Sequence, residues 1–179
     1  MLWVTRRHVH MDRVATPWLI RRFIDADAEF AFVPWTGGFQ GPSGAIQFAI
    51  PGAELGRHDE HGPCFEKVRT KYNVTDPGVV QMSAVVAAGV NFVLHGFRPE
   101  PDDRYGQIAV GLVALSDGMM LTHETDTQVL EASMPVYDAL HAVFKTDALL
   151  RDRQLEPPHL PEFGPGPKTE FLRALLNER

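Results

Sequence analysis

Apolar residues recur along this chain first at the spacing of strands and then, over most of its length, at the three- and four-residue steps of helices. Leu2 to Thr5 is short, β-branched and aromatic, and predicts a first strand. From Asp12 to Ile24 the period turns helical, with Met11, Val14, Ala15, Trp18, Leu19 and Phe23 along one stripe. Asp12 is the expected cap, with the helix tightening at Pro17; Thr16 as cap with Pro17 in the first turn is the alternative. Glu29-Phe30-Ala31-Phe32-Val33 reads as a buried strand closed by Pro34. A loop holding Gly37, Gly38, Gly41, Pro42 and Gly44 follows. Ala45 to Ile50 is a further strand candidate, with Ile46, Phe48 and Ile50 on one face and Pro51-Gly52 ending it.

Beyond this point the pattern is helical. Phe65, Val68 and Tyr72 share one face, and Thr75-Asp76-Pro77 is a helix start, with Asp76 as cap and Pro77 at the first position. That helix carries Val79, Val80, Met82, Val85 and Val86 to Gly89, while Val90 to Leu94 fits helix or strand equally. Arg98 to Asp103 is a loop, and Asp103 opens a helix ending at Gly118. Thr125-Asp126-Thr127-Gln128 matches a capping box, and its helix runs to about Lys145 with a kink expected at Pro135. The expected fold is α+β, a small early sheet of two or three strands packed against four or five mainly C-terminal helices. Residues 1–146 form the domain, 147–167 a proline-rich extended arm, and 168–179 a short terminal helix packing on the body or on a partner subunit.

Composition narrows the class. At 179 residues with 44% hydrophobic and 22% charged residues, the chain is long enough for one domain with a real core. A net charge of −6 argues against direct nucleic-acid binding, which needs a basic face. The one cysteine excludes an internal disulfide and fits a reducing compartment. The first residues lack a signal-peptide core, and no apolar run reaches the roughly 18 residues needed to span a bilayer. A cytoplasmic protein with no membrane partner is the expectation.

The richest chemistry lies in His58-Asp59-Glu60-His61-Gly62-Pro63-Cys64-Phe65-Glu66, where nine residues hold two histidines, three carboxylates and the cysteine. Histidine, thiolate and carboxylate together suit a divalent transition metal (zinc, iron or manganese) better than calcium. The spacing matches no established zinc pattern, so an open site with about three protein ligands is expected rather than a structural one. Asp126 and His123 are the later residues best placed to complete it, although helix capping alone explains Asp126. Arg13, Arg21 and Arg22 form a second candidate, because a guanidinium fork suits an oxyanion; an arginine at the edge of the core also commonly pairs with a carboxylate. Cys64 reads by default as a buried spectator, and no nucleophile elbow or phosphate loop is present. His8, His10, His95, His141 and His159 stand singly and receive no role.

The order Trp3-Val4-Thr5-Arg6, Asp12-Arg13-Val14-Ala15 and Trp18-Leu19-Ile20-Arg21-Arg22-Phe23-Ile24 resembles the C-terminal domain of the bacterial chromate-resistance protein ChrB. Phe30-Ala31-Phe32-Val33, the His58–Glu66 cluster, Thr75-Asp76-Pro77, and Asp126 with Tyr137-Asp138-Ala139-Leu140 continue it in the same order, over most of residues 2 to 145. His58, Phe65 and Glu66 match the family's pattern; Cys64, directly abutting Phe65, departs from it, and an acidic residue expected near Val90 or Asn91 is missing. In that family the domain follows an N-terminal regulatory region, and the whole is regarded as a chromate-responsive regulator of an efflux operon. This sequence lacks that region, so DNA binding is not carried over.

The resemblance implies a cytoplasmic metal- or oxyanion-binding sensor or auxiliary domain in the response to chromate or metal stress. His58 and Glu66 would be metal ligands, Asp126 a third, and Arg13 and Arg21 anion contacts. The competing reading is a small metal-dependent enzyme, hydrolytic or redox, with Glu66 as general base. A homo-oligomer joined through the C-terminal arm would fit either.

Overall fold

Trp3 and Val4 are completely buried and flanked on both sides by other strands. The computed structural model describes residues 1–34, 41–158 and 164–178. Strand β1 (Leu2–Arg6) is central, between β2 (Glu29–Val33) and β3 (Ile46–Gln47), in the order β2-β1-β3. Both pairings are parallel, with Trp3 opposite Phe30 on one side and Ile46 on the other. A parallel pair needs a crossover, and helix α1 (Asp12–Phe23) supplies it between β1 and β2. Trp3, Phe30, Phe48 and Tyr72 meet as an aromatic group, with ring centroids 5.8–6.4 Å apart.

Five helices follow: α2 (Cys64–Lys71), α3 (Pro77–His95), α4 (Arg104–Thr122), α5 (Asp126–Arg153) and α6 (Gly166–Asn177). The result is the expected α+β class, with three strands and six helices among the described residues. Helix α3 lies against α4 and α5, and α1 bears on α2, α3 and α5. Trp18 Nε1 donates to Asp138 Oδ1 at 2.8 Å, Arg22 makes a two-pronged bond to the same carboxylate, and Arg21 reaches Glu131 Oε1 at 2.5 Å. The Trp18-to-Phe23 segment thus ties α1 to α5.

Several local expectations change in three dimensions. Asp12 does not cap its own helix: residue 11 stands at that position with no side-chain cap, and α1 runs through Pro17. Strand β3 is shorter than Ala45–Ile50 because Ala49 takes a positive φ of 51°, which turns the chain away after Phe48. Helix α3 passes Gly89 and ends at Gly96, whose φ of 65° provides the left-handed cap. Gly89 serves a close crossing instead, since a Cβ there would fall 2.1 Å from Met11 Cε. Helix α4 likewise continues past Gly118 to Thr122, and α5 runs through Pro135 to Arg153, beyond Lys145.

By length and composition α3 could cross a membrane, with an 18-residue window of mean hydropathy 1.6, which corrects the expectation that no run is long enough. Here it packs against α4 and α5, and two of its polar side chains have protein partners: Gln81 Nε2 donates to Phe144 O at 2.9 Å and Ser83 Oγ to Glu66 Oε2 at 2.6 Å. Helix α6 lies along α5 with Leu175 buried and an Arg153–Glu178 ion pair. Gly37, Gly38 and residues 159–163 of the expected loop and arm lie outside the described residues.

The Asp12 carboxylate does the joining instead of capping. Cys64 N donates to its Oδ2 at 2.7 Å and Phe65 N to its Oδ1 at 2.8 Å, so it satisfies two orphan amides at the start of α2. Thr16 Oγ1 adds a third bond at 3.2 Å. Asp12→Ala leaves both buried amides without an acceptor and should cost about 2–4 kcal/mol. The melting temperature should fall by roughly 4–12 °C, and Asp12→Asn, which keeps one acceptor oxygen, by clearly less. Thermal unfolding followed by circular dichroism distinguishes the two.

Candidate functional site

In a parallel sheet of order β2-β1-β3, the chain leaves β1 toward β2 while β3 lies on the other side. Such a reversal opens a crevice beyond the carboxyl ends of the strands, where ligands commonly bind in α/β sheets. A cavity of about 260 Å³ occupies that place. Arg6, the last residue of β1, His10 and Arg13 at the turn into α1, and Arg57 and His58 before α2 supply its polar wall. Met11, Ala49, and Val90, Val93 and Leu94 of α3 supply the apolar remainder.

Each polar group has a structural reason to be there. Arg13 donates from Nη1 to the carbonyls of Arg6 at 3.2 Å and Arg7 at 3.0 Å, and from Nη2 to that of His8 at 2.9 Å. It closes the end of β1 by satisfying carbonyls the sheet no longer pairs. The loop it holds is strained, with His8 at φ 58° and Met11 at φ 42°, a cost that persists only where surrounding contacts impose it. Those contacts are Val9 N to Asp126 Oδ1 at 2.7 Å, His10 Nε2 with Asp117 Oδ1 at 2.9 Å, and Met11 N to Ser116 Oγ at 3.1 Å.

The electrostatics are those of crowded cations. Burial first, then the neighbouring Arg6, pushes the Arg13 pKa down to about 10. Burial and Arg57 lower that of Arg6, and burial holds His10 below the ordinary histidine value despite Asp117. Asp12, the carboxylate in the lining, directs both oxygens at the α2 amides. Burial raises its pKa, while the bonds from Phe65 and Cys64 pull the other way. His58 Nδ1 is buried with no hydrogen-bond partner, and the His58 ring centroid lies 6.3 Å from that of His95.

Of the residues singled out from sequence, Arg13 and His58 come together in this cavity, and Glu66, Asp126 and Arg21 do not line it. Glu66 is held by Arg69 Nη2 at 2.6 Å and Nε at 2.7 Å, by Ser83 Oγ at 2.6 Å and by Thr70 Oγ1 at 3.3 Å. Arg69 chiefly keeps its pKa below the usual carboxylate range, the opposite of what a general base at neutral pH requires. Asp126 accepts the Val9 amide and lines a separate, larger cavity of about 600 Å³ with His8 and His123. Arg21 belongs to the α1–α5 contact, bonded to Glu131 and lying over the Phe30 ring.

The rest of the His58–Glu66 segment is structural or solvated. Asp59 pairs with Lys67 at 2.5 Å, Glu60 and His61 are largely exposed, and the buried Cys64 thiol has its pKa raised well above normal by burial. Among the described residues no three histidine, cysteine, aspartate or glutamate side chains are gathered as a metal would require. The expected ligand set of His58, Glu66 and Asp126 therefore does not fit a zinc, iron or manganese ion in this arrangement. Each carboxylate is directed at a different part of the protein.

Sequence reasoning missed Arg6, His10 and Arg57. Arg6 lies at a strand end and His10 stands singly in the sequence, and nothing in a linear reading sets Arg57 beside them. The usable signal was the run of cations straddling a strand end, meaningful only once β1 and β3 are known to be parallel neighbours.

The Glu66 network yields a pH test. Its folded-state pKa lies below the unfolded value, so its stabilisation is present above the unfolded pKa and is lost as pH falls through the folded one. Wild type should exceed Glu66→Gln by about 1 kcal/mol at pH 7. The difference should shrink as pH drops below about 4, as read by urea unfolding at several pH values.

The model of the ChrB C-terminal domain matches residues 3–144. "Protein ChrB" of Cupriavidus metallidurans is 32% identical over 115 residues, a match taking in 56% of this chain and 35% of that protein. The matched region thus spans about a third of the length of the curated relative. No solved structure matches. With the family match covering the sheet, the cationic cavity and the helices behind it, the chain belongs to the ChrB C-terminal domain family, a family related to chromate resistance.

Proposed function

We propose that this protein is an oxyanion-binding domain of the chromate-resistance type, acting as a cytoplasmic sensor or auxiliary protein. The observation that carries the reading is the convergence of Arg6, Arg13, Arg57, His10 and His58 on one cavity at the strand ends. Guanidinium groups recognise tetrahedral oxyanions through paired, charge-assisted hydrogen bonds, and a partly buried setting strengthens such bonds. Burial is the larger cause of the lowered pKa of Arg6 and Arg13, and a dianion entering this cavity counters the smaller one, the repulsion from the neighbouring guanidinium. It also offers acceptor oxygens near the buried His58 Nδ1, which has no protein partner.

The sensor part of the reading is supported by how the site is anchored. His10 lies within, and Arg13 just after, a strained loop whose amides and imidazole are tied to Asp117 and Ser116 of α4 and to Asp126 of α5. An anion that shifts this loop acts on both helices at once. Coupling requires an element that responds differently in the two ligation states, and this loop is positioned to be one. The reading needs no metal.

Titration calorimetry with chromate and with sulfate should give saturable binding that weakens with added salt. Arg57→Ala should weaken it roughly tenfold or more without lowering the melting temperature, because Arg57 is exposed at the cavity mouth. Binding that is absent, or indifferent to Arg57→Ala and Arg6→Ala alike, would overturn the proposal.

A further inference from the structure

The cavity at the strand ends is not uniformly polar. Arg6, Arg13 and Arg57 come from the sheet, α1 and the loop before α2, whereas Val90, Val93 and Leu94 come from the last turns of α3. Val93 and Leu94 are 46% and 62% exposed although they line a recess, so part of its wall is apolar surface left in water. Helix α3 is held at this depth by the close crossing of Gly89 with Met11, itself a lining residue. Its end is fixed by the Gly96 cap. The apolar wall is therefore a built part of the cavity.

Size points the same way. At about 30 Å³ per water the 260 Å³ cavity has room for roughly eight waters. A four-oxygen anion bound at the guanidinium groups fills only a fraction of that and leaves the α3 wall wet. Recognition sites of this kind combine a few polar groups that orient the ligand with apolar surface that buries its body.

From the cationic and apolar walls of this one cavity we infer that it takes an organic anion, a tetrahedral phosphonate- or phosphate-type head carrying a compact apolar group, in preference to a bare oxyanion. The head lies among Arg6, Arg13 and Arg57, and the apolar group covers Val93 and Leu94. This rests on the anion-binding reading above and narrows its ligand class.

Titration calorimetry of the full chain with phenylphosphonate, methylphosphonate and inorganic phosphate tests it. Phenylphosphonate should bind roughly tenfold or more tightly than the other two, because only it buries the α3 wall. Leu94→Ser and Val93→Ser, neutral replacements at exposed positions that spare the core, should cut the ratio of phenylphosphonate to phosphate affinity to about twofold or less. Arg57→Ala should weaken all three. Equal affinity for the three ligands, or a phenyl advantage that survives both serine variants, overturns this inference and leaves the oxyanion reading standing. Failure of all three ligands and of chromate to bind overturns both.

Discussion

Two backbone amides at the start of α2 have no acceptor within their own helix, and the carboxylate of Asp12 meets both. The rest of the arrangement depends on that contact. Asp12 sits at the first turn of α1, directly after the loop leaving β1, so bonding to Cys64 and Phe65 pins the start of α2 beside the strand ends. The residues just before α2, Arg57 and His58, are thereby brought to face Arg6 and Arg13. A buried carboxylate is tolerated because its acceptor capacity is met by two amides and a threonine hydroxyl.

Helix α1 works on two sides. At its start Arg13 closes the end of β1 by bonding three successive carbonyls, and Asp12 turns the other way to hold α2. Toward its end Trp18, Arg21 and Arg22 engage Asp138 and Glu131 of α5. The Trp-Leu-Ile-Arg-Arg-Phe segment is thus an architectural seam.

The contrast between metal and anion chemistry follows from where the carboxylates are spent. Glu66 is bound by Arg69 and Ser83 and joins α2 to α3, and Asp126 receives the Val9 amide and fixes the strained loop. Asp12 is taken by α2. Once these three carboxylates are bonded to the protein, the cavity's remaining charged side chains are arginines, and guanidinium groups bind oxygen anions, not cations. An overall charge of −6 hides this local excess, because net charge sums the whole surface while binding depends on the groups lining one recess.

What the sequence determined by itself is local. The helix starts at Asp76, Asp103 and Thr125, the core stripe of α1 and the α+β class are all legible because caps and hydrophobic periodicity act over a few residues. The resemblance to the ChrB domain was legible for the same reason, in short runs such as Trp18 to Ile24. His58 and Arg13 could be singled out one at a time. Their meeting, and the presence of Arg6 and Arg57 beside them, was decided only by tertiary structure. It required β1 and β3 to pair in parallel and Asp12 to reach 52 residues along the chain to the start of α2. The same long-range pairing reassigned Glu66 and Asp126, since a carboxylate's role depends on which cation or amide folding brings within about 3 Å of it.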